Sequence, residues 1–133
     1  MLSNLRIAAL ALLGGGLLAG QAVAQPTGKE LFEMNCSACH QVTGMGVPGA
    51  FPALAGNAFV QGPATPVATT VLNGRGGMPS FRDDLSRAQI ATILTYVRSA
   101  WGNTAPPIDE ATVTAAPGGV TGPVEPPSPL GFH

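Results

Sequence analysis

Cys36-Ser37-Ala38-Cys39-His40 is the stretch on which the reading of this chain turns. Two thiols three positions apart, followed at once by an imidazole, form a C-x-x-C-H run, the attachment pattern for a c-type haem. The thiols add across the haem vinyl groups as thioethers, and the adjoining imidazole then lies within reach of the iron from one face. Other chemistries of the same residues need features that the chain lacks. A thioredoxin-type redox pair wants a βαβ setting and a thiol activated at a helix start, whereas this pair follows a short amphipathic segment with no strand pattern around it. A tetrahedral zinc site needs about four N, S or O ligands, but the sequence has two cysteines and two histidines, one of them the terminal His133. A disulfide between Cys36 and Cys39 would close a loop too short to remove much chain entropy, and it would leave His40 without a role. No second C-x-x-C-H and no internal repeat occurs, so the expected haem count is one.

Upstream of the motif, residues 1–24 read as a secretory signal. Arg6 supplies the positive start, Ile7 to Leu18 the apolar stretch, and Ala22-Val23-Ala24 an A-x-A cleavage site that would leave Gln25 first. The apolar run is shorter than the ~20 residues a membrane span needs and is broken by glycines from Gly14 onward. No cysteine follows the cleavage site to carry a lipid, and no stable membrane span is expected after cleavage. Export also suits two thiols that are both consumed by a cofactor. The implied compartment is a bacterial periplasm.

The remaining chain divides by composition near Asn103. Residues 26–103 carry Lys29, Arg75, Arg82, Arg87 and Arg98 against Glu30, Glu33, Asp83 and Asp84, a balance of +1. Residues 104–133 hold seven prolines and four glycines, with Asp109, Glu110 and Glu125 uncompensated. Such a stretch is expected to bury too little apolar surface to offset its ordering entropy and to stay mobile or extended. The expected organisation is a signal at 1–24, one domain at 25–103 and a flexible tail at 104–133. A domain of that size has a marginal core when built from side chains alone. A buried haem would complete it, so the haem-free chain is expected to fold poorly.

Three helices can be placed. The first starts at Thr27, with Glu30 completing a T-x-x-E capping box, and carries Leu31 and Phe32 toward the motif. The second is expected from Thr65 as N-cap, with Pro66 at the first helical position, to Asn73-Gly74. For the third, Ser86 and Gln89 form a capping box, Gly102 is the expected stop, and Ile90, Ile93, Leu94, Val97 and Trp101 recur with helical period. No stretch alternates with period two, so the fold class is all-α with long loops.

His40 can fill one axial position of the iron; a methionine thioether is the common second ligand in electron-shuttling haem proteins because it favours ferrous iron. Met34 precedes Cys36 on the first helix and Met45 follows His40 by five residues, too close to cross easily to the other haem face. Met78 remains. Gly74, Gly76 and Gly77 allow backbone to approach a flat cofactor, and Pro79 biases Met78 toward an extended conformation.

These features together, with Gly28 and Phe32 on the first helix and Ile93 and Tyr96 on the last, resemble a class I mono-haem cytochrome c. Within that class, NCSACHQVTGMGVPGAFPALAGN (35–57), GRGGMPSF (74–81) and YVRSAWGN (96–103) are similar to cytochrome subunits, or haem domains, of periplasmic alcohol- and aldehyde-type dehydrogenases. The resemblance spans roughly residues 28–103. It implies that Gly28 and Phe32 meet Ile93 and Tyr96 where the first and last helices cross. It also implies that the Pro52 carbonyl accepts from the free ring nitrogen of His40, and that Leu54 covers one haem face. Arg75 is a candidate partner for a haem propionate, with a solvated loop arginine as the competing role, and Trp101 is expected in the core. The function implied is one-electron transfer from a periplasmic dehydrogenase to a terminal oxidase or another cytochrome, with no catalytic residue and no nucleic acid involved. The competing function is a haem enzyme or gas sensor in which Met78 leaves to admit peroxide, NO or CO. No distal His or Arg stands at a recognisable spacing for it.

Overall fold

The structure is a computed structural model that describes residues 23–118. The signal expected at 1–24 lies almost wholly outside the described residues, as does 119–133. Among the described residues five helices follow in order: α1 (Gly28–Asn35), α2 (Ser37–His40), α3 (Ala64–Asn73), α4 (Arg87–Val97) and α5 (Glu110–Ala115). Among the described residues the only extended pairings are two isolated bridges, Val47 with Phe51 and Arg75 with Met78. The fold is all-α.

Capping chemistry explains where α1 and α4 begin. The Thr27 hydroxyl accepts from the Glu30 amide at 3.3 Å while the Glu30 carboxylate accepts from the Thr27 amide at 2.7 Å. The Thr27 amide, together with the Thr27 hydroxyl, which also donates to the carboxylate, holds the Glu30 carboxyl below its ordinary range. Ser86 and Gln89 repeat the arrangement at α4, with distances of 3.1 and 2.9 Å. Each box satisfies amide donors that a helix start otherwise leaves unpaired.

Two boundaries differ from expectation. α3 starts one residue before Thr65, with Pro63 at the cap and no side-chain cap bond, so Pro66 sits at its third position. Proline is tolerated there because a first-turn amide has no intrahelical partner to lose. α4 ends at Val97, well short of Gly102. The chain then turns, and Trp101 takes φ 53°.

The largest helix contact is the crossing of α1 with α4, and it depends on Gly28. A β-carbon there would stand 2.6 Å from the Thr92 carbonyl oxygen and 2.7 Å from Tyr96 Cβ. The close approach therefore falls on Thr92 and Tyr96. Phe32 is fully buried beside them, its ring centroid 5.7 Å from Tyr96 and 5.1 Å from Trp101. Trp101 is thus a core residue in effect, although it joins the core from beyond the helix end.

The expected flexible tail at 104–133 must be corrected for residues 104–118. Ile108, Val113 and Ala116 are buried in the same core as α3 and α4. Asp109 caps α5 by accepting from the Thr112 amide at 2.7 Å, and Arg98 Nε donates to the Pro106 carbonyl at 2.8 Å. Ile108 and Val113 stand at the two positions of a hydrophobic staple around that cap. Apolar burial therefore offsets the ordering cost that the proline and glycine content suggested would prevail.

Candidate functional site

α2 is a single helical turn formed by the C-x-x-C-H residues themselves. The Cys39 and His40 amides donate to the Cys36 carbonyl at 3.2 and 3.0 Å, which brings both thiols to one side. Both thiols are free and half-buried. Burial, with a smaller contribution from neighbouring Cys39, pushes the Cys36 thiol up to about 11. Gln41 leaves the turn at φ 64°, sending the chain sharply into the loop that follows.

That loop folds back onto His40. Val47 and Phe51 pair at 2.9 and 2.8 Å, and the Gly46 amide donates to the His40 carbonyl at 2.9 Å. Gly46, at φ +62°, lies so close to the Pro52 carbonyl that a β-carbon would stand 2.6 Å from its oxygen. Pro52 O is in turn 2.9 Å from Nδ1 of buried His40. A carbonyl can only accept, so Nδ1 carries the hydrogen and Nε2 presents a lone pair.

Met78 arrives on a tight turn. The Arg75 amide donates to the Met78 carbonyl at 3.1 Å and the Met78 amide to that of Arg75 at 3.0 Å, with Gly76 and Gly77 between. Gly74, at φ +75°, passes so close beneath that a β-carbon would stand 2.5 Å from the Met78 carbonyl oxygen. Ser80 Oγ donates to the Leu72 carbonyl at 2.6 Å and the Phe81 amide to that of Val71 at 3.0 Å, fastening the turn to α3.

These segments enclose a mostly apolar cavity of about 570 Å³. Cys36, Cys39, His40, Pro52, Leu54, Arg75 and Met78 all line it, so the residues expected to bind the cofactor come to one place. Met34 and Met45 do not line it; they are 66% and 60% exposed. Arg75 is exposed at the rim, its guanidinium 5.4 Å from the centroid of the Phe59 ring. A family model described as "Cytochrome C oxidase, cbb3-type, subunit III" matches residues 23–97. The chain belongs to this family of cytochrome c domains.

Its relatives include several cytochromes c. The cytochrome c subunit of the quinone alcohol dehydrogenase of Gluconacetobacter polyoxogenes is 35% identical, over 75% of this chain and 23% of that protein. The chain therefore spans about a quarter of the length of that subunit. Cytochrome c-552 of Thermus thermophilus is 32% identical, over 65% of this chain and 68% of its own length. Among solved structures, cytochrome c6 of the diatom Phaeodactylum tricornutum is 28% identical with a TM-score of 0.46, covering 56% of this chain and 90% of that one. Cytochromes c are electron carriers rather than enzymes, and the family implies a covalently bound haem c with its iron.

The residues present fit that group. The cavity is large enough for a sizeable cofactor and its wall is mostly hydrocarbon. Two thiols line it, with an imidazole lone pair and a soft thioether available as iron ligands. Much of the wall was not singled out from the sequence: Phe59, Val60, Val67, Val71 and Phe81 also line the cavity. The i, i+4 pair Val67 and Val71 on α3 is the signal that could have found part of it.

Proposed function

We propose that this chain is a periplasmic one-electron carrier whose haem c would be tethered through Cys36 and Cys39 and held at its iron by His40 Nε2 and the Met78 sulfur. The bound haem supplies a reversible Fe(III)/Fe(II) couple. The observation that carries the reading is the convergence of both thiols, the Pro52-oriented imidazole and the one cavity-lining methionine on a single apolar cavity.

Each residue has a distinct task in this scheme. Pro52 fixes the tautomer and ring plane of His40 and strengthens it as a ligand. Met78 would bind the iron through its thioether, exclude exogenous ligands and favour the ferrous state. Leu54 and the aliphatic wall keep water from the iron. Arg75, exposed at the rim, would pair with a propionate of the bound haem.

The electron donor is a periplasmic dehydrogenase and the acceptor a terminal oxidase or another cytochrome. The alcohol dehydrogenase subunits among the relatives support the donor side, and a cbb3-type oxidase subunit of Azospirillum brasilense supports the acceptor side. Export through the segment at 1–24, cut after Ala24, would deliver the chain to that compartment; Gln25 as the mature N-terminus is the expected result of sequencing it. Docking runs over the charge-free loop from Val42 to Phe51, where Met45, Val47 and Pro48 are exposed.

The ferric spectrum of the purified protein tests the carrier reading against a ligand-binding one. A weak band near the red end, together with exclusion of CO from the ferrous form, is expected of an intact methionine ligand. Ready CO binding by the unaltered protein would favour the sensor or enzyme reading instead.

A further inference from the structure

The Pro52 carbonyl that lies against His40 belongs to an irregular loop between α2 and α3, and the next turn of that loop is bonded to a side chain from the far end of the domain. Asn103, in the turn after α4, is 3% exposed. Its Nδ2 donates to the Leu54 carbonyl at 3.0 Å and to the Val97 carbonyl at 2.8 Å. Its Oδ1 accepts from the Gly56 amide at 2.8 Å. Leu54 and Gly56 lie two and four residues beyond Pro52, so this amide ties the loop directly to the end of α4.

The other limb of the loop is held by the same turn. The Gly44 carbonyl accepts from the Leu54 and Ala55 amides at 2.7 and 3.0 Å. Gly44 packs against the Trp101 ring so tightly that a β-carbon would stand 2.5 Å from it. Trp101 Nε1 donates to the Val42 carbonyl at 3.1 Å. Burying a side-chain amide is unfavourable unless its hydrogen bonds are made, and here both donors and the acceptor are committed to backbone. That is the arrangement of a group that sets backbone geometry.

We propose that Asn103 is a positioning residue for the His40 side of the site, acting through the Leu54–Gly56 turn on the Pro52 carbonyl. The inference rests on His40 being an iron ligand. It assigns the quality of the His40–Pro52 hydrogen bond, and with it the basicity of the ligand, to a residue 63 positions away in sequence.

The test uses the haem-loaded protein with Asn103→Ala, the milder Asn103→Ser, and Ser86→Ala as a control that weakens α4 at its opposite end. The exchange rate of the His40 ring N–H in the ferrous state and the reduction potential are read together. Both Asn103 variants are expected to speed exchange at least tenfold and to raise the potential, because a weaker bond to Pro52 leaves the imidazole less basic. Ser86→Ala is expected to lower the denaturation midpoint and move neither readout. Asn103 variants that lose stability as Ser86→Ala does, with exchange and potential unchanged, would overturn the proposal. Should Asn103→Ala yield no folded protein, the readouts on Asn103→Ser decide. A His40 ring whose resonances do not respond to the iron's oxidation state would remove the ligand premise itself, a failure distinct from that of Asn103.

Discussion

Gly28→Ala tests the packing on which the cavity stands. The added β-carbon would sit 2.6 Å from the Thr92 carbonyl oxygen, where ordinary contact begins at 3.4 Å, so α1 and α4 must separate by the difference, 0.8 Å. The obstructing atoms are backbone and a first side-chain carbon, which cannot swing aside. Overpacking of this kind costs about 1–3 kcal/mol. Replacing glycine in a helix returns at most about 1 kcal/mol, and less at the first helical position. The net expectation is a loss of about 1–2 kcal/mol, or roughly 4–15 °C in Tm for a domain of this size. Guanidinium unfolding of the haem-loaded protein, followed by helical circular dichroism, gives the value provided the slope with denaturant is unchanged. A variant as stable as the parent, or more so, would refute the close crossing of α1 and α4.

Replacing Cys36 and Cys39 together by alanine should abolish covalent haem and most of the folded protein, as judged by haem staining and circular dichroism; a stably helical haem-free double variant would contradict this. Burial pushes the packed Cys36 thiol up to about 11, so at pH 8 a folded haem-free chain would hold it as thiolate only about one part in a thousand. Because the haem-free chain is expected to fold poorly, iodoacetamide should instead modify Cys36 at the rate of an unstructured peptide thiol, and protection that fades as pH rises toward 11 would count against it. Electron transfer to the partner should change only a few-fold between about 10 mM and about 500 mM salt, because the docking stretch is uncharged. Met45→Asp with Val47→Asp should slow it markedly, whereas a steep salt dependence or unaltered kinetics would place docking elsewhere.

The sequence was most legible where local chemistry decides structure. Both capping boxes, the glycine stop after α3 and the buried stripe of Ile90, Ile93, Leu94 and Val97 follow from short-range rules that tertiary packing did not override. α2 has four residues, too few for any periodicity to reveal it. Thr65-Pro66 satisfies the capping pattern and so points to a start at Thr65, yet the backbone is already helical at Ala64. Composition hides the order after Asn103 because it averages over residues: Ile108, Asp109, Thr112 and Val113 spell a cap and staple inside a proline-rich stretch. The convergence on the cavity was visible for residues with distinctive chemistry and invisible for its aliphatic wall, whose members look like any core.

The most direct measurement is the reduction potential and CO binding of Met78→Ala, made alongside the unaltered protein. Covalent haem should be retained, the potential should fall because the thioether no longer favours ferrous iron, and CO should bind where it was excluded before. A variant that keeps the parent potential and still excludes CO would show that Met78 is not the ligand, and the site described around it would have to be abandoned.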